Sequence, residues 1–426
     1  MTLLIFLGSL LGSMALGIPI AFALLLVSVA LMLHLDLFDA QIIAQNLLNG
    51  ADSFPLMAVP FFMLAGEVMN AGGLSKRIVN IAMALVGHKR GGLGYVAIIA
   101  SCLLASLSGS AVADAAALAA LLVPMMVHAG HNRSHSAGLI AAGGIIAPII
   151  PPSIGFIVFG VASGVSISKL FLAGIVPGLM LGAALAVAWW FISRRENVEP
   201  PPKRSAREIL RTLVDGSWAL GLPLIIVFGL KFGIFTPTEA AVVAAVYALF
   251  VSLVIYRELK INQLYELVLS SAKTTSVVML LVAAAMVSSW LVTIAELPDQ
   301  LAALLEPFMD NPTLLLMVIM LLVILVGTVM DMTPTILILT PVLMPAVTMA
   351  GIDPVYFGVL FLINTAIGLI TPPVGTVLNV VCGVSKISMD EIIRGVWPFM
   401  LAQFVVLFLL VLFPQLVLAP LAFLTR

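Results

Sequence analysis

Two short stretches of this chain concentrate oxygen-bearing side chains inside otherwise apolar sequence. The first carries Ser106, Ser108, Gly109, Ser110 and Asp114; the second carries Gly327, Thr328, Asp331, Thr333 and Thr335. Hydroxyl, carbonyl and carboxylate oxygens are the ligands that a hard cation takes, and neither stretch has the thiolate or imidazole pattern of a transition-metal site. Gly109 lets the chain turn and exposes backbone carbonyls. Ser110 and Asp114 stand one helical turn apart and so share a face of the helix that follows. Helix capping would account for one serine, but not for three beside a buried aspartate. Asp331 holds the place of Ser110 in the second stretch, so each stretch brings one carboxylate into apolar surroundings. No Lys or Arg lies near either in sequence, which favours a bound cation over an ion pair. Thr333 ahead of Pro334 reads as a helix cap with proline at the first helical position.

Beside each stretch stands a broken helix. The first reads Ala147-Pro148-Ile149-Ile150-Pro151-Pro152-Ser153, and the second runs from Asn364 through Gly368 to Thr371-Pro372-Pro373-Val374-Gly375-Thr376. Paired prolines end a helix and remove two N–H donors. The carbonyls they free suit Na⁺, and the N–H groups of the next half-helix suit an anion. One such break could be a plain proline kink. Here residues 108–177 align without a gap on residues 329–398, so that Pro124 meets Pro345, Pro151-Pro152 meets Pro372-Pro373, and Pro177 meets Pro398. A chain built from two such halves with interrupted helices reads as a secondary transporter. Position then assigns Ser106, Ser108, Gly109, Ser110 and Asp114, with Pro151 and Pro152, to one Na⁺. It assigns Gly327, Asp331 and Thr333, with Gly368, Thr371, Pro372 and Thr376, to another. Ser153, Asn364 and Gly375 fall to the substrate between them.

The elements that must position these residues follow from composition. The chain is 62% hydrophobic and 9% charged, so lipid must be the solvent for most of its surface. The expected fold is an all-α polytopic membrane protein with inverted-topology repeats, two re-entrant helical hairpins and two broken helices. Residues 1–195 form the first repeat, with its hairpin at 92–128 and broken helix at 136–165. Residues 196–215 form a cytoplasmic linker around Pro201-Pro202. Residues 216–426 form the second repeat, with hairpin 313–349 and broken helix 355–384. Arg194, Arg195, Lys203, Arg204, Arg207 and Arg211 place the linker inside. Counting spans outward from it, basic residues agree with the inside loops except for Lys169, Lys231 and Arg426, and the two hairpins enter from opposite faces. Irregular backbone at that depth must meet protein or a wet cavity, so the tips are expected at the centre of the molecule. Pro19 either kinks one long first helix or opens a second helix, as Pro237 does.

Amphipathic stretches at 38–49, 74–85, 261–269 and 297–308 read as interfacial helices. They either brace a mobile part or merely connect. Glu67 reads as snorkelling or subunit packing as readily as function, and Glu239 as a helix-dipole carboxylate. His128, His131 and His135 hint weakly at a metal, with a solvated loop preferred. A net charge of −1 indicates no nucleic-acid partner, and Cys102 and Cys382 form no disulfide framework. No phosphate-binding loop or hydrolase signature is present.

At these motifs the chain resembles the large membrane subunit of the tripartite ATP-independent periplasmic (TRAP) transporters. The carrying residues are Met63-Leu64-Ala65-Gly66-Glu67-Val68-Met69-Asn70-Ala71-Gly72-Gly73-Leu74, Ser108-Gly109-Ser110-Ala111-Val112-Ala113-Asp114 and the two proline breaks. The likeness covers essentially the whole chain. It implies a multi-pass protein of the bacterial inner membrane that imports a small organic acid, a carboxylate or sugar acid, on a Na⁺ gradient. It further implies an elevator mechanism and two partners: a small four-helix membrane subunit, expected as a separate polypeptide, and a soluble periplasmic substrate-binding protein. A self-sufficient Na⁺/dicarboxylate symporter of related fold would keep the architecture without those partners. An intramembrane enzyme using Asp114 and Asp331 as acid and base lacks other catalytic residues.

Overall fold

The computed structural model describes residues 2–196, 198, 202–203 and 205–425. Pro201, Arg204 and Arg426, used above for the linker and the charge count, lie outside the described residues. Every regular element among those described is helical.

The first half opens with α1 (Thr2–Ala15), α2 (Ile20–His34), α3 (Ala40–Ala51), α4 (Ala58–Ala71) and α5 (Leu74–Val86). Pro19 separates two helices: Gly17 turns the chain with φ +78°, and Ile20 starts afresh. Next come α6 (Gly92–Ser108) and α7 (Ala111–His128), the two arms of a hairpin, then α8 (Arg133–Gly144) and α9 (Ile154–Ser163), the halves of a broken helix. The long α10 (Ile167–Ser193) closes the half. Asn132, Ser153 and Ser166 each accept a backbone N–H and start α8, α9 and α10.

The second half repeats the order after α11 (Ala206–Asp215) and α12 (Ser217–Lys231), which meet at a bend of 56°. There follow α13 (Pro237–Phe250), α14 (Leu264–Ile294), the arm α15 (Leu297–Met309), the hairpin α16 (Pro312–Gly327) with α17 (Met332–Met349), the broken helix α18 (Pro354–Gly368) with α19 (Thr376–Ser385), then α20 (Met389–Leu412) and α21 (Gln415–Leu424). Among the described residues, seven helical segments are long and apolar enough to cross a membrane. The shorter apolar helices include the second half of the first broken helix, Ile154–Ser163, and both halves of the second, Pro354–Gly368 and Thr376–Ser385, as a chain that stops at mid-depth requires.

Several expected boundaries move. Residues 261–269 do not form a separate interfacial helix, because α14 runs on from Leu264 for 31 residues, about 46 Å at helical rise. The polar run Ser270-Ser271-Ala272-Lys273-Thr274-Thr275 does not interrupt it, since Thr274 and Ser276 hydroxyls bond back one turn to Ser270 and Ala272 carbonyls. The first break begins earlier than the prolines alone suggest. α8 ends at Gly144, and residues 145–150 close in tighter turns, with Ile146 N–H on Gly143 O and Ala147 N–H on Gly144 O at 3.1 Å. The linker holds a helix, α11, started by reciprocal bonds between Ser205 and Glu208. The final span stops at Leu412, ahead of Pro414.

Packing divides these helices into two sets. α2, α3 and α4 pack on α14, and α4 packs on α13, which gives a frame. The hairpins, the broken helices, α10 and α20 pack on one another, which gives a second body. Within that body the halves cross reciprocally: α7 packs on α19, and α17 packs on α9. The returning arm of each hairpin thus lies against the second half of the other repeat's broken helix.

Candidate ion and substrate site

The first hairpin turns at Gly109, whose φ of +61° lies in the left-handed region open to glycine. A Cβ there would stand 2.6 Å from the Pro152 carbonyl oxygen and 3.4 Å from Ser153 Cα. The tip therefore presses its bare backbone onto the first proline break. Ser110 caps α7 by accepting the Ala113 N–H. Ser108 does something different: its hydroxyl donates to Asp114 Oδ1 at 2.5 Å and accepts the Ser110 N–H at 3.2 Å. Ser106 is buried and spends its hydroxyl on Leu103 O.

Asp114 is 3% exposed, and its Oδ2 has no hydrogen-bond partner among the described residues. The ion pairs among the described residues involve Arg77, His131 and His135, none of them with Asp114. One oxygen of this buried carboxylate is thus left without a partner, one turn into the arm that follows the Gly109 tip. Ser153, assigned to substrate by position, is fully buried and donates to Pro148 O while capping Phe156 N–H. Its hydroxyl holds the break in shape. The Pro151-Pro152 and Pro372-Pro373 peptide bonds are both cis.

The second hairpin reaches the second break through glycine as well. Gly327 and Gly368 meet backbone to backbone, so that a Cβ on Gly368 would stand 2.8 Å from the Gly327 carbonyl oxygen. Thr328 O accepts the Val374 N–H at 3.4 Å. α17 starts at Met332 with Asp331 as its cap residue, two positions before the Thr333-Pro334 start expected from sequence. The first helical N–H groups have no partner within a helix, so Pro334 is tolerated two positions deeper than the first. Asp331 matches Ser110 as the residue ahead of the returning arm, but its side chain caps nothing and is exposed. The expectation of a buried carboxylate holds for Asp114 and fails for Asp331, whose side chain is exposed between the buried Met330 and Met332. Thr333 and Pro372 are partly buried. Thr371 donates to Ile367 O, while Gly375 is buried with φ +51°. Two oxygens here are buried without a partner among the described residues, Asn364 Oδ1 and Thr376 Oγ1. The Asn364 amide donates to Met320 O, which leaves the acceptor end free.

The two tips converge. Gly109 abuts Pro152, and three residues on, a Cβ at Gly155 would lie 3.0 Å from Met332 Sδ of the other hairpin. Sequence reasoning passed over three polar groups nearby. Gln403 is fully buried and donates to Ala142 O at 2.8 Å, which ties α20 to the approach of the first break. Thr340 and Ser288 are buried with unpartnered hydroxyls. A lone Gln in an apolar helix of 24 residues was the available signal.

Of the three histidines, His128 is exposed and His135 partly so, as a solvated loop would have them, but His131 is not. His131 is 5% exposed, bonds Glu196 at 2.5 Å and packs on Trp189 with ring centroids 5.2 Å apart. Among the described residues no group of three His, Cys, Asp or Glu could hold a metal. Burial raises the Glu196 carboxyl, but bonds from His131, His135 and the Asn132 N–H outweigh it and hold it down at about 2. Glu67 accepts from Ser270 and joins α4 to α14 inside the frame. Glu239 closes a capping box with Thr236.

Comparison with known proteins agrees with this architecture. Residues 7–416 match the family described as tripartite ATP-independent periplasmic transporter, DctM component. The chain is 61% identical over 421 residues to the 2,3-diketo-L-gulonate TRAP transporter large permease protein YiaN of Escherichia coli (strain K12), covering 99% of each. It is 41% identical over 405 residues to the sialic acid TRAP transporter large permease protein SiaM of Vibrio cholerae, covering 95% of each. A solved structure, that of the Alcanivorax borkumensis YdaH transporter, superposes with a TM-score of 0.65 at 15% identity, over 89% of this chain and 90% of that one. That last likeness concerns the fold alone.

Proposed function

Because this chain belongs to the DctM component of the tripartite ATP-independent periplasmic transporters, as a multi-pass inner-membrane subunit and not an enzyme, we propose that it imports a small organic acid in symport with Na⁺. The acid would be delivered by a soluble periplasmic binding protein, and a small membrane subunit on a separate chain would complete the complex. The observation that carries the Na⁺ reading is Asp114: a buried carboxylate with one oxygen on Ser108 and the other unpartnered, on the hairpin whose Gly109 tip presses on the Pro152 carbonyl. A monovalent hard cation fits a site of few oxygens with a single charge. In the second half, Thr376 Oγ1 and Asn364 Oδ1 supply unpartnered acceptors, and Asp331 supplies charge.

The acid's carboxylate would lie between the breaks, where the N-termini of α9 and α19 offer N–H groups. The relative at 61% identity is named for 2,3-diketo-L-gulonate, which supports a sugar acid as the solute. For the mechanism, we take the second body to carry ion and acid together past the frame. The glycine-lined contacts of each hairpin on a break support motion of that body as one piece.

Uptake into vesicles holding this chain, its small subunit and its binding protein tests the reading. A sugar acid should accumulate with an inward Na⁺ gradient and stop without it. Equal uptake on a proton gradient alone would overturn the ion assignment.

A further inference from the structure

A second site lies away from the hairpin tips. The turn between α5 and α6 and the end of α10 enclose a groove of about 820 Å³ at the cytoplasmic end of the second body. Lys89, Arg90 and Arg194 line its rim. Arg90 donates to the Arg194 and Glu196 carbonyls at 3.2 and 3.3 Å, so its guanidinium is held by neutral partners. The Arg194 guanidinium lies 3.8 Å over the Trp190 ring. The nearest carboxylate, Glu196, is committed to His131, His135 and the Asn132 N–H. Among the described residues, none of the three rim cations has a carboxylate partner.

The rest of the lining is mostly apolar, with Val86, Ile98, Ile99 and Ala186, and along α6 and α10 Tyr95 and Trp190 fall between the charged end and Ile98, Ile99 and Ala186. Trp190 is 40% exposed and Phe191 59%, where the headgroup level of the inner leaflet would fall. A free inorganic anion would use the rim and leave the apolar wall unmatched. A molecule with a negative head and a hydrocarbon tail matches both. We propose that this groove binds one anionic phospholipid of the inner leaflet, its phosphate on Lys89, Arg90 and Arg194 and its chain along α6 and α10. A structural site of this kind differs from diffuse attraction to basic loops, since the tail zone and the aromatic rim fix depth and orientation.

The test uses the complete chain with its small membrane subunit, purified in detergent with equal amounts of phosphatidylglycerol and phosphatidylcholine. Native mass spectrometry should show one retained phosphatidylglycerol, favoured over phosphatidylcholine by about tenfold. Chain-brominated phosphatidylglycerol should quench tryptophan fluorescence more than brominated phosphatidylcholine, and Trp190→Phe should remove that difference. The Lys89→Gln/Arg194→Gln variant should cut retention at least fivefold, and Lys89→Gln alone, at an exposed position, should cut it measurably in a chain that folds normally. Millimolar inorganic phosphate should leave the adduct in place. Equal retention of both lipids, indifference to the substitutions or displacement by phosphate would each overturn the proposal.

Discussion

A carboxylate at mid-membrane depth is expensive unless something takes up its charge, and in Asp114 the protein partners only one oxygen. Asn has nearly the same shape and still accepts from Ser108, so Asp114→Asn removes charge with little change in packing. If Na⁺ binds here, the wild type gains stability from it, about 2.7 kcal/mol at a hundred times Kd. Asp114→Asn should lose that gain and lower Na⁺-driven uptake at least tenfold, while melting in Na⁺-free buffer stays close to wild type. Thermal melting with and without Na⁺ reads the difference; an undiminished Na⁺ shift in the variant would remove Asp114 from the site. The sequence exposed Asp114 because a lone acid among apolar residues is conspicuous. It did not expose the burial of His131, whose partner Glu196 is 65 residues away. Spacing along the chain carries no trace of such a pairing.

At the scale of elements, both hairpins and both breaks were legible because Gly and Pro act on the backbone locally. What was not legible depended on context. α17 starts at Met332 and not at Pro334, since a proline is tolerated anywhere in the first turn and so does not fix the first residue. α14 ran through a polar stretch that reads as a boundary, because a helix satisfies its own backbone and needs no apolar residue to continue. The end of α10 is pinned to the α7–α8 turn by Glu196 and His131. The Glu196 carboxyl titrates near 2 in the fold and near 4.5 when free. A depressed carboxylate contributes stability fully above its free value and loses it as pH falls through the folded one. Glu196→Gln should therefore melt below wild type at pH 6, and the gap should narrow between pH 4.5 and about 2. Parallel melts across that window check the sign; a gap that widened on acidification would mean that the pair is not charged as drawn.

For the whole molecule, the division into frame and body makes the largest claim, since transport by a moving body requires the contacts between them to slide. Some of those contacts are apolar: Phe62 of α4 meets Phe171 of α10 edge to face, with ring centroids 6.4 Å apart. Within the frame itself, by contrast, the Ser270 hydroxyl of α14 donates to Glu67 of α4 at 3.2 Å. The arm α5 joins the frame through Arg77, which reaches Asp215 and Glu258 and stacks on Tyr256 at 3.6 Å. That clasp fixes one end of the arm while the other leads into α6. Cysteine pairs separate a moving body from a static one. In a chain with Cys102 and Cys382 replaced by serine, a bifunctional thiol reagent should join Phe62→Cys to Phe171→Cys and stop uptake, with recovery on cleaving the link. The pair Glu67→Cys with Ser270→Cys spans the frame alone, so its link should leave uptake within about twofold of the same variant unlinked. If the Phe62–Phe171 link formed in full and uptake continued, the body would not move against α4, and the ion and acid would have to cross by local opening of the hairpins.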